Sequence, residues 1–386
     1  MTEQSKFSLA ASDGRVFLSA RQADLAEVLE ALSKQAGFAL SFYQRPSQSL
    51  TAEMGNVTVE DCLKKIIPSY SFVYRKGKGG DLVLQSVAVF RAGPLALLSA
   101  PSSGKTVAYG SRPEQLGRVF APGVERQGPA SFAADEGGNI YVCDTVNGRI
   151  KAFSPEGKTI LDIAAPGAVT DLALDEAGNI FALDSLSGRV AVYDPSGRPL
   201  GSLTVPAERL SRVQNIRCVK DRIYLLGRDQ EEFEIGGLEK GELRGRDSFT
   251  PSAGMRAESG RFYTALKDSD SFAQLEARGG KEESSRKIGL PIPRLASVSV
   301  LGEDASGNIY LQIEQSREKG PGIDLGVIKL DREGNMVALL EKIPNNYVNW
   351  TARLLRINRA GEVLQMLPGP EAVALNRWNW ERKGEK

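Results

Sequence analysis

Asp135-Glu-Gly-Gly-Asn-Ile-Tyr-Val-Cys-Asp144-Thr-Val-Asn-Gly-Arg149 returns 40 residues later as Asp175-Glu-Ala-Gly-Asn-Ile-Phe-Ala-Leu-Asp184-Ser-Leu-Ser-Gly-Arg189. The match continues from Phe153-Ser-Pro-Glu-Gly157 to Tyr193-Asp-Pro-Ser-Gly197, without an insertion. A fixed period of roughly 40–50 residues suits one four-stranded blade of a β-propeller. Each copy alternates apolar runs with Gly- and Asp-bearing turns, the pattern of short antiparallel strands. Gly138, Gly148 and Gly157 are expected to supply positive φ in those turns. Asp135 and Asp144 are expected to accept from turn amides, as Asx turns do.

Four weaker copies continue the pattern: 215–227, 255–266, 298–313 with a trailing Leu330-Asp-Arg-Glu-Gly334, and 354–367. With the two clear copies they make six units, which fill 129–380. The last unit lacks an outer strand before the charged tail, and 116–121 is expected to supply it. Such closure joins the ring and removes a sheet edge.

The first 92 residues have another character. Val16 and Leu18 alternate as a strand. Leu25, Val28, Leu29, Leu32 and Ala36 then fall at helical spacing, with Asp24 at the start and Gly37 as the stop. Phe38, Leu40 and Phe42 alternate, and 50–54 reads as another strand. Thr58-Val-Glu-Asp61 resembles a capping box and opens a helix with Val59, Cys62, Leu63, Ile66 and Ile67 on one face. Pro68 ends it. Residues 71–75 and 82–87 read as a hairpin around Gly77-Lys-Gly-Gly80, a hairpin tip and not a phosphate loop. The order is β-α-β-β-α-β-β. Residues 93–128, rich in Gly, Pro and Ser, read as a linker with the propeller-closing strand. The expected division is therefore 1–92, 93–128 and 129–386.

Bulk properties narrow the function classes. The chain of 386 residues has a net charge of +1, so no global field recruits nucleic acid or an anionic membrane. No stretch approaches the ~20 apolar residues needed to span a bilayer. There is no histidine, which removes Ser-His-Asp triads, Cys-His dyads and His-ligated zinc. Cys62, Cys143 and Cys218 form no CxxC pair and read as small buried hydrophobes. Trp350, Trp378 and Trp380 read as packing residues. No export signal is visible at the start, which by itself suggests the cytoplasm; the alternative is a chain whose signal has been removed.

Two resemblances add expectations. Ala23-Asp-Leu-Ala-Glu-Val-Leu-Glu-Ala-Leu with Gln35-Ala-Gly37, and Val57-Thr-Val-Glu-Asp-Cys-Leu with Tyr74-Arg75, resemble the secretin and TonB short N-terminal (STN) domain. That resemblance implies a Gram-negative envelope setting, on the periplasmic side, docked to other envelope proteins. Neither a secretin barrel nor a receptor barrel follows. Gly138-Asn-Ile-Tyr-Val with Asp144 and Gly148-Arg-Ile, and Gly178-Asn-Ile-Phe-Ala with Asp184 and Gly188-Arg-Val, resemble NHL repeats, which form six-bladed propellers.

The expected fold is therefore mainly β: an NHL-like six-bladed β-propeller preceded by a small α+β domain. The expected function is a non-catalytic periplasmic adaptor linking envelope components, with no cofactor, no metal and no nucleic acid. Its partners are envelope proteins, and its location is periplasmic or outer-membrane-associated once a signal is removed. Asp144, Asn147, Arg149, Asp184 and Arg189 mark the expected partner-binding face, although Asp144, Asp184, Arg149 and Arg189 also have a structural reading; Arg149 and Arg189 would pair with an acid of a neighbouring blade. The alternatives are a metal-dependent, lactonase-like propeller hydrolase, with carboxylates and amides such as Asn139 and Asn179 as ligand types, and an RNA-binding NHL propeller. The first needs ligands converging on the channel. The second needs a basic, aromatic-bearing face.

Overall fold

The computed structural model describes residues 6–42, 45–67, 69–76, 81–89, 97–98, 101–165, 167–211, 213–227, 231–246, 248–279 and 285–380. The N-terminal module contains β1 (Phe7–Ser12), β2 (Arg15–Asp24), α1 (Leu25–Ala36), β3 (Ala39–Phe42), β4 (Ser49–Thr58), α2 (Val59–Ile66), β5 (Tyr70–Lys76) and β6 (Leu82–Val89). Its helix signals behave as read. The Asp24 carboxylate caps α1, accepting from Ala26 N at 2.8 Å and Glu27 N at 3.1 Å. Gly37 ends α1 with φ of 78°, and Thr58 Oγ1 accepts from Asp61 N at 3.0 Å to open α2. Leu25, Val28, Leu29 and Leu32 meet Cys62, Leu63, Ile66 and Ile67 in one core. β1 was not expected; it adds an edge to β2, giving the three-stranded order β1-β2-β4. Pro68 and the tip 77–80 lie outside the described residues.

Two short strands follow, β7 (Leu97–Leu98) and β8 (Ser103–Ala108). Then come six sheets, I to VI in chain order, whose consecutive strands pair antiparallel, with β7 added in parallel beside the last strand of sheet V. Sheet I holds β9 (Phe132–Ala134), β10 (Ile140–Asp144), β11 (Arg149–Phe153) and β12 (Thr159–Ala164); sheet II holds β13 (Asp171–Leu174), β14 (Ile180–Asp184), β15 (Arg189–Tyr193) and β16 (Pro199–Thr204). Sheet III holds β17 (Val213–Val219), β18 (Arg222–Gly227), β19 (Glu231–Glu239) and β20 (Glu242–Gly245), with β21 (Ser252–Ala253) beside β19. Sheet IV holds β22 (Met255–Arg256), β23 (Arg261–Ser269), β24 (Phe272–Gly279) and β25 (Ser285–Pro291); sheet V holds β26 (Leu295–Glu303), β27 (Ile309–Ser316), β28 (Ile323–Leu330) and β29 (Met336–Ile343). Sheet VI holds β30 (Leu355–Ile357), β31 (Val363–Pro368) and β32 (Ala372–Trp378), with β8 as its outer strand. The architecture is that of a mainly-β propeller.

The closing strand is thus Ser103–Ala108 and not 116–121, which contributes only isolated bridges at Leu116 and Val119. An outer strand faces solvent and needs little apolar sequence: in Ser103-Gly-Lys-Thr-Val-Ala only Val107 is buried. Segment 109–117 instead locks against sheet I. Apolar clusters fill the junctions I–II, II–III, IV–V, V–VI and VI–I. Junction III–IV is stitched by polar contacts: Arg256 lies over the Tyr224 and Phe262 rings, and its backbone N donates to Glu232 at 2.6 Å. The ends meet through Ala352 N, which donates to Ala130 O at 2.7 Å.

The repeat turns explain the repeat residues. Asp135 accepts from Asn139 N and Nδ2 at 2.9 and 2.7 Å, and Asp175 from Asn179 at 2.8 and 2.7 Å. The same Asp–Asn staple holds Asp304 to Asn308 and Asp331 to Asn335. Gly148 and Gly188 adopt φ of 63° and 69°, which a β-branched residue strongly disfavours. A Cβ at Gly148 meets nothing within 4 Å, whereas one at Gly188 meets Leu210 at 3.2 Å. Gly148→Val should therefore cost about 1–3 kcal/mol from backbone strain alone, and Gly188→Val somewhat more. Equal, unshifted denaturation midpoints for both would remove the assignment.

The N-terminal module is not a bead on a linker. β5 runs antiparallel to β25, from Tyr74 opposite Ser285 to Tyr70 opposite Gly289, so β5, β6 and β3 extend sheet IV to seven strands. Lys287 Nζ reaches Glu60 at 3.0 Å, and Tyr74 Oη donates to Glu60 at 2.6 Å. Burial by itself would raise the Glu60 carboxyl, but donors from Lys64, Tyr74 and Lys287 outweigh it and hold it down to about 2. A Cβ at Gly289 would sit 2.4 Å from the Tyr70 ring and 2.7 Å from Phe272. Gly289→Val should therefore loosen this seam by about 1–3 kcal/mol. Hydrogen exchange should then rise in 70–76 while sheets I to III keep their protection; unchanged exchange in 70–76 would contradict the seam.

Candidate functional site

In an up-and-down sheet alternate turns share an end. The first turn of each sheet, at 135–138, 175–178, 220–221, 257–260, 304–307 and 358–361, therefore lies at one end of the channel. A cavity of about 460 Å³ opens there, lined by these turns and by the innermost strands.

Its rim is acidic. Glu136, Glu176, Glu258 and Glu303 stand around it, with Lys220 and Arg359 as the cations. Arg359, on the first turn of sheet VI, pairs with Glu136 at 3.2 Å, Glu176 at 2.8 Å and Glu258 at 3.3 Å, tying sheets I, II and IV to one guanidinium. Each pair is solvent-exposed and contributes at most about 1 kcal/mol. Burial raises the Glu258 carboxyl, and Glu176, Glu303 and Glu136 add to it against Arg359.

Its floor is basic. β30 and the loop before it send Arg356 and Arg353 across the channel to sheet II. There Asp171, fully buried, accepts from Arg353 Nε at 3.1 Å, Arg356 Nη2 at 2.7 Å, Ile216 N at 2.8 Å and Ser131 Oγ. Arg353 also donates to Ile216 O at 3.0 Å. Beside them, Arg217 pairs with buried Glu232 at 3.2 Å. Three guanidiniums thus share two carboxylates. Burial lowers both Arg356 and Arg217; Arg353 lowers them further, against Asp171 and Glu232 respectively. Burial would raise Asp171, but Arg353 and Arg356 outweigh it and lower it. Arg356 Nε is buried without a partner among the described residues.

The sequence-derived face lies at the opposite end of the channel, on the second turns of sheets I and II. Asp144 belongs to the interior: it is fully buried, accepts from Gly117 N at 2.7 Å and Asn147 Nδ2 at 2.8 Å, and pairs with buried Lys151 at 3.0 Å. It presents nothing to a partner and makes no Asx turn. Asn147 also donates to Gly110 O at 2.9 Å, so it too holds segment 109–117. Arg149 pairs with Asp162 of its own sheet, not with a neighbouring one. Asp184, 6% exposed, does make the Asx turn, accepting from Leu186 N and Ser187 N at 3.0 Å. Of the five, only Arg189 is exposed. Trp350, read as packing, is 66% exposed on this end, while Trp378 is buried. Cys218, read as buried, is half-buried and lines the cavity.

The floor residues lie outside the sequence-derived face. One signal was present: Arg356 occupies the place of Ala133 and Ala173 in the clear copies, two residues before the turn. Asp171 likewise stands where the first copy has Ser131. Among the described residues no group of three or more His, Cys, Asp or Glu side chains is placed to hold a metal ion.

The NHL repeat family matches residues 127–153, the first clear copy. No curated protein matches the sequence. Solved structures similar to this chain include the RRP9 WD40 repeats, at 10% identity and a TM-score of 0.42, covering 73% of this chain and 99% of that one. A streptogramin B lyase structure is similar at 10% identity and a TM-score of 0.41, covering 71% and 97%. BamB from Moraxella catarrhalis is similar at 9% identity and a TM-score of 0.33, covering 64% and 95%.

Proposed function

We propose that the six sheets are the blades of a closed six-bladed propeller, at 129–386 with its closing strand in 93–128, and that residues 1–92 form an STN-like module fused to it. The protein acts as a non-catalytic scaffold between cell-envelope components, periplasmic or outer-membrane-associated. The observation that carries this reading is the shared seven-stranded sheet. A module hydrogen-bonded along a blade's outer strand holds two binding surfaces in a fixed relative orientation, as a bridging protein requires and a tethered pair does not. The β5 edge is consumed in that fusion, so the module is left with its β1 side and its helix faces for a partner. The propeller offers the end that carries Arg189, Leu186 and Trp350, the last two 78% and 66% exposed.

Cell fractionation and cross-linking of the full chain in envelope extract test this. Two different envelope proteins should be captured together, and Gly289→Val should weaken joint capture while leaving each partner. Recovery of the chain in the cytoplasm, or capture of no envelope protein, would sink the scaffold reading. Turnover of a lactone or phosphoester that tracks added calcium, zinc or manganese would overturn the non-catalytic part.

A further inference from the structure

The channel is stratified by charge, and nothing in the scaffold reading uses it. At its depth lie Arg217, Arg353 and Arg356 against Asp171 and Glu232; at its mouth lie four glutamates against Arg359 and Lys220. Strands advance about 3.3 Å per residue, so the three residues from Asp171 to Leu174 separate the layers by roughly 10 Å. The long floor arginines shorten that gap. We propose that this cavity binds a small zwitterion, its oxyanion on the floor guanidiniums and its cationic group among the rim glutamates.

Three observations support it. The floor arginines use only part of their donor capacity on protein: Arg356 donates through Nη2 and Arg217 through Nη1, and no protein partner is found among the described residues for Arg356 Nη1 or Arg217 Nη2. An unspent guanidinium N–H group on a cavity-lining arginine suits a carboxylate or phosphate oxygen in charge. Each layer also carries an excess of its own sign: three arginines against Asp171 and Glu232 on the floor, and four glutamates against Arg359 and Lys220 on the rim. Like charges held together without a counter-ion favour a ligand that supplies one. Finally, about 460 Å³ accommodates a small molecule, and convergent polar groups in a concave site fix its orientation.

Isothermal titration of the full chain at low salt separates the two layers. 6-Aminohexanoate is the zwitterionic probe, hexanoate the anion alone and hexylammonium the cation alone. 5-Aminopentylphosphonate replaces the carboxylate by a phosphate-like oxyanion at the same chain length and decides between the two oxyanions. The expected order is zwitterion tighter than hexanoate by about tenfold, the worth of one charge-assisted bond. Glu176→Gln with Glu258→Gln, on the exposed rim, should erase that advantage and leave hexanoate unchanged or tighter. Arg356→Lys keeps the charge, loses the unspent Nη1 donor and should weaken both anionic probes about tenfold. Arg217→Lys serves as the second floor variant should the first not fold. Absence of heat with every oxyanion probe, carboxylate binding that survives both floor variants, or hexylammonium binding tighter than hexanoate would each overturn the proposal.

Discussion

Lys151→Met should destabilise the protein by about 3–5 kcal/mol, the range for removing one partner of a buried ion pair. The ammonium and the Asp144 carboxylate lie 3.0 Å apart with no exposed side-chain surface. Methionine keeps most of the stem's packing, so the loss isolates the charge. Besides Asp144, Lys151 Nζ donates to the carbonyls of Arg112, at 2.9 Å, and Gln115. Those carbonyls belong to the segment that follows the closing strand β8, so the substitution also loosens the latch between sheets VI and I. Proteolysis within 109–117 should therefore accelerate alongside the fall in denaturation midpoint. Two controls separate charge from packing. Arg149→Ala removes a partly exposed pair with Asp162 and should cost no more than about 1 kcal/mol. Asp144→Leu combined with Lys151→Met removes both charges, and should recover part of the loss, since an apolar pair carries no desolvation penalty. A single Lys151→Met variant as stable as the parent would show that the pair holds nothing.

This pair also illustrates what the sequence made legible. The turns were readable because each imposes a local demand: positive φ at Gly138 and Gly148, and an acceptor at Asp135 for the Asn139 amide. The helices of the N-terminal module were readable for the same reason, through Asp24, Gly37 and Thr58. What escaped was non-local. Pairing of β5 with β25 joins residues more than 200 positions apart through backbone groups, which leave no side-chain signature. The closing strand β8 is mostly exposed and carries no apolar alternation to find. Asp144 recurs at Asp184, yet one is a buried ion-pair partner and the other a turn cap. A recurring residue type marks a shared position without assigning it a shared partner. The channel floor escaped because Arg353 and Arg356 act on a sheet other than their own, across a space that no periodicity describes.

Asp171→Asn should have an effect of the same order, about 3–5 kcal/mol, because one carboxylate serves two guanidiniums. Asparagine is nearly isosteric: its Oδ1 can still accept from Ile216 N while its Nδ2 donates to Ser131 Oγ, so the backbone joint between sheets II and III need not move. What disappears is the charge facing Arg353 and Arg356, which are 15% and 13% exposed and are left with carbonyl acceptors only. The acid dependence follows from the same pairing. Arg353 and Arg356 hold the folded Asp171 below its ordinary value of 3.8. A carboxylate depressed on folding contributes fully above its unfolded value and loses that contribution as pH falls through its folded value. The parent protein should therefore keep this stabilisation above about pH 4–5 and lose it progressively below pH 3.8. Asp171→Asn should flatten that part of the profile while lowering the plateau. Denaturant titrations from pH 7 to pH 3 on both proteins measure it. A plateau within about 0.5 kcal/mol of the parent, the size of an ordinary surface change, would mean that the floor arginines do not depend on Asp171. Parallel acid limbs would mean that another carboxylate governs the loss.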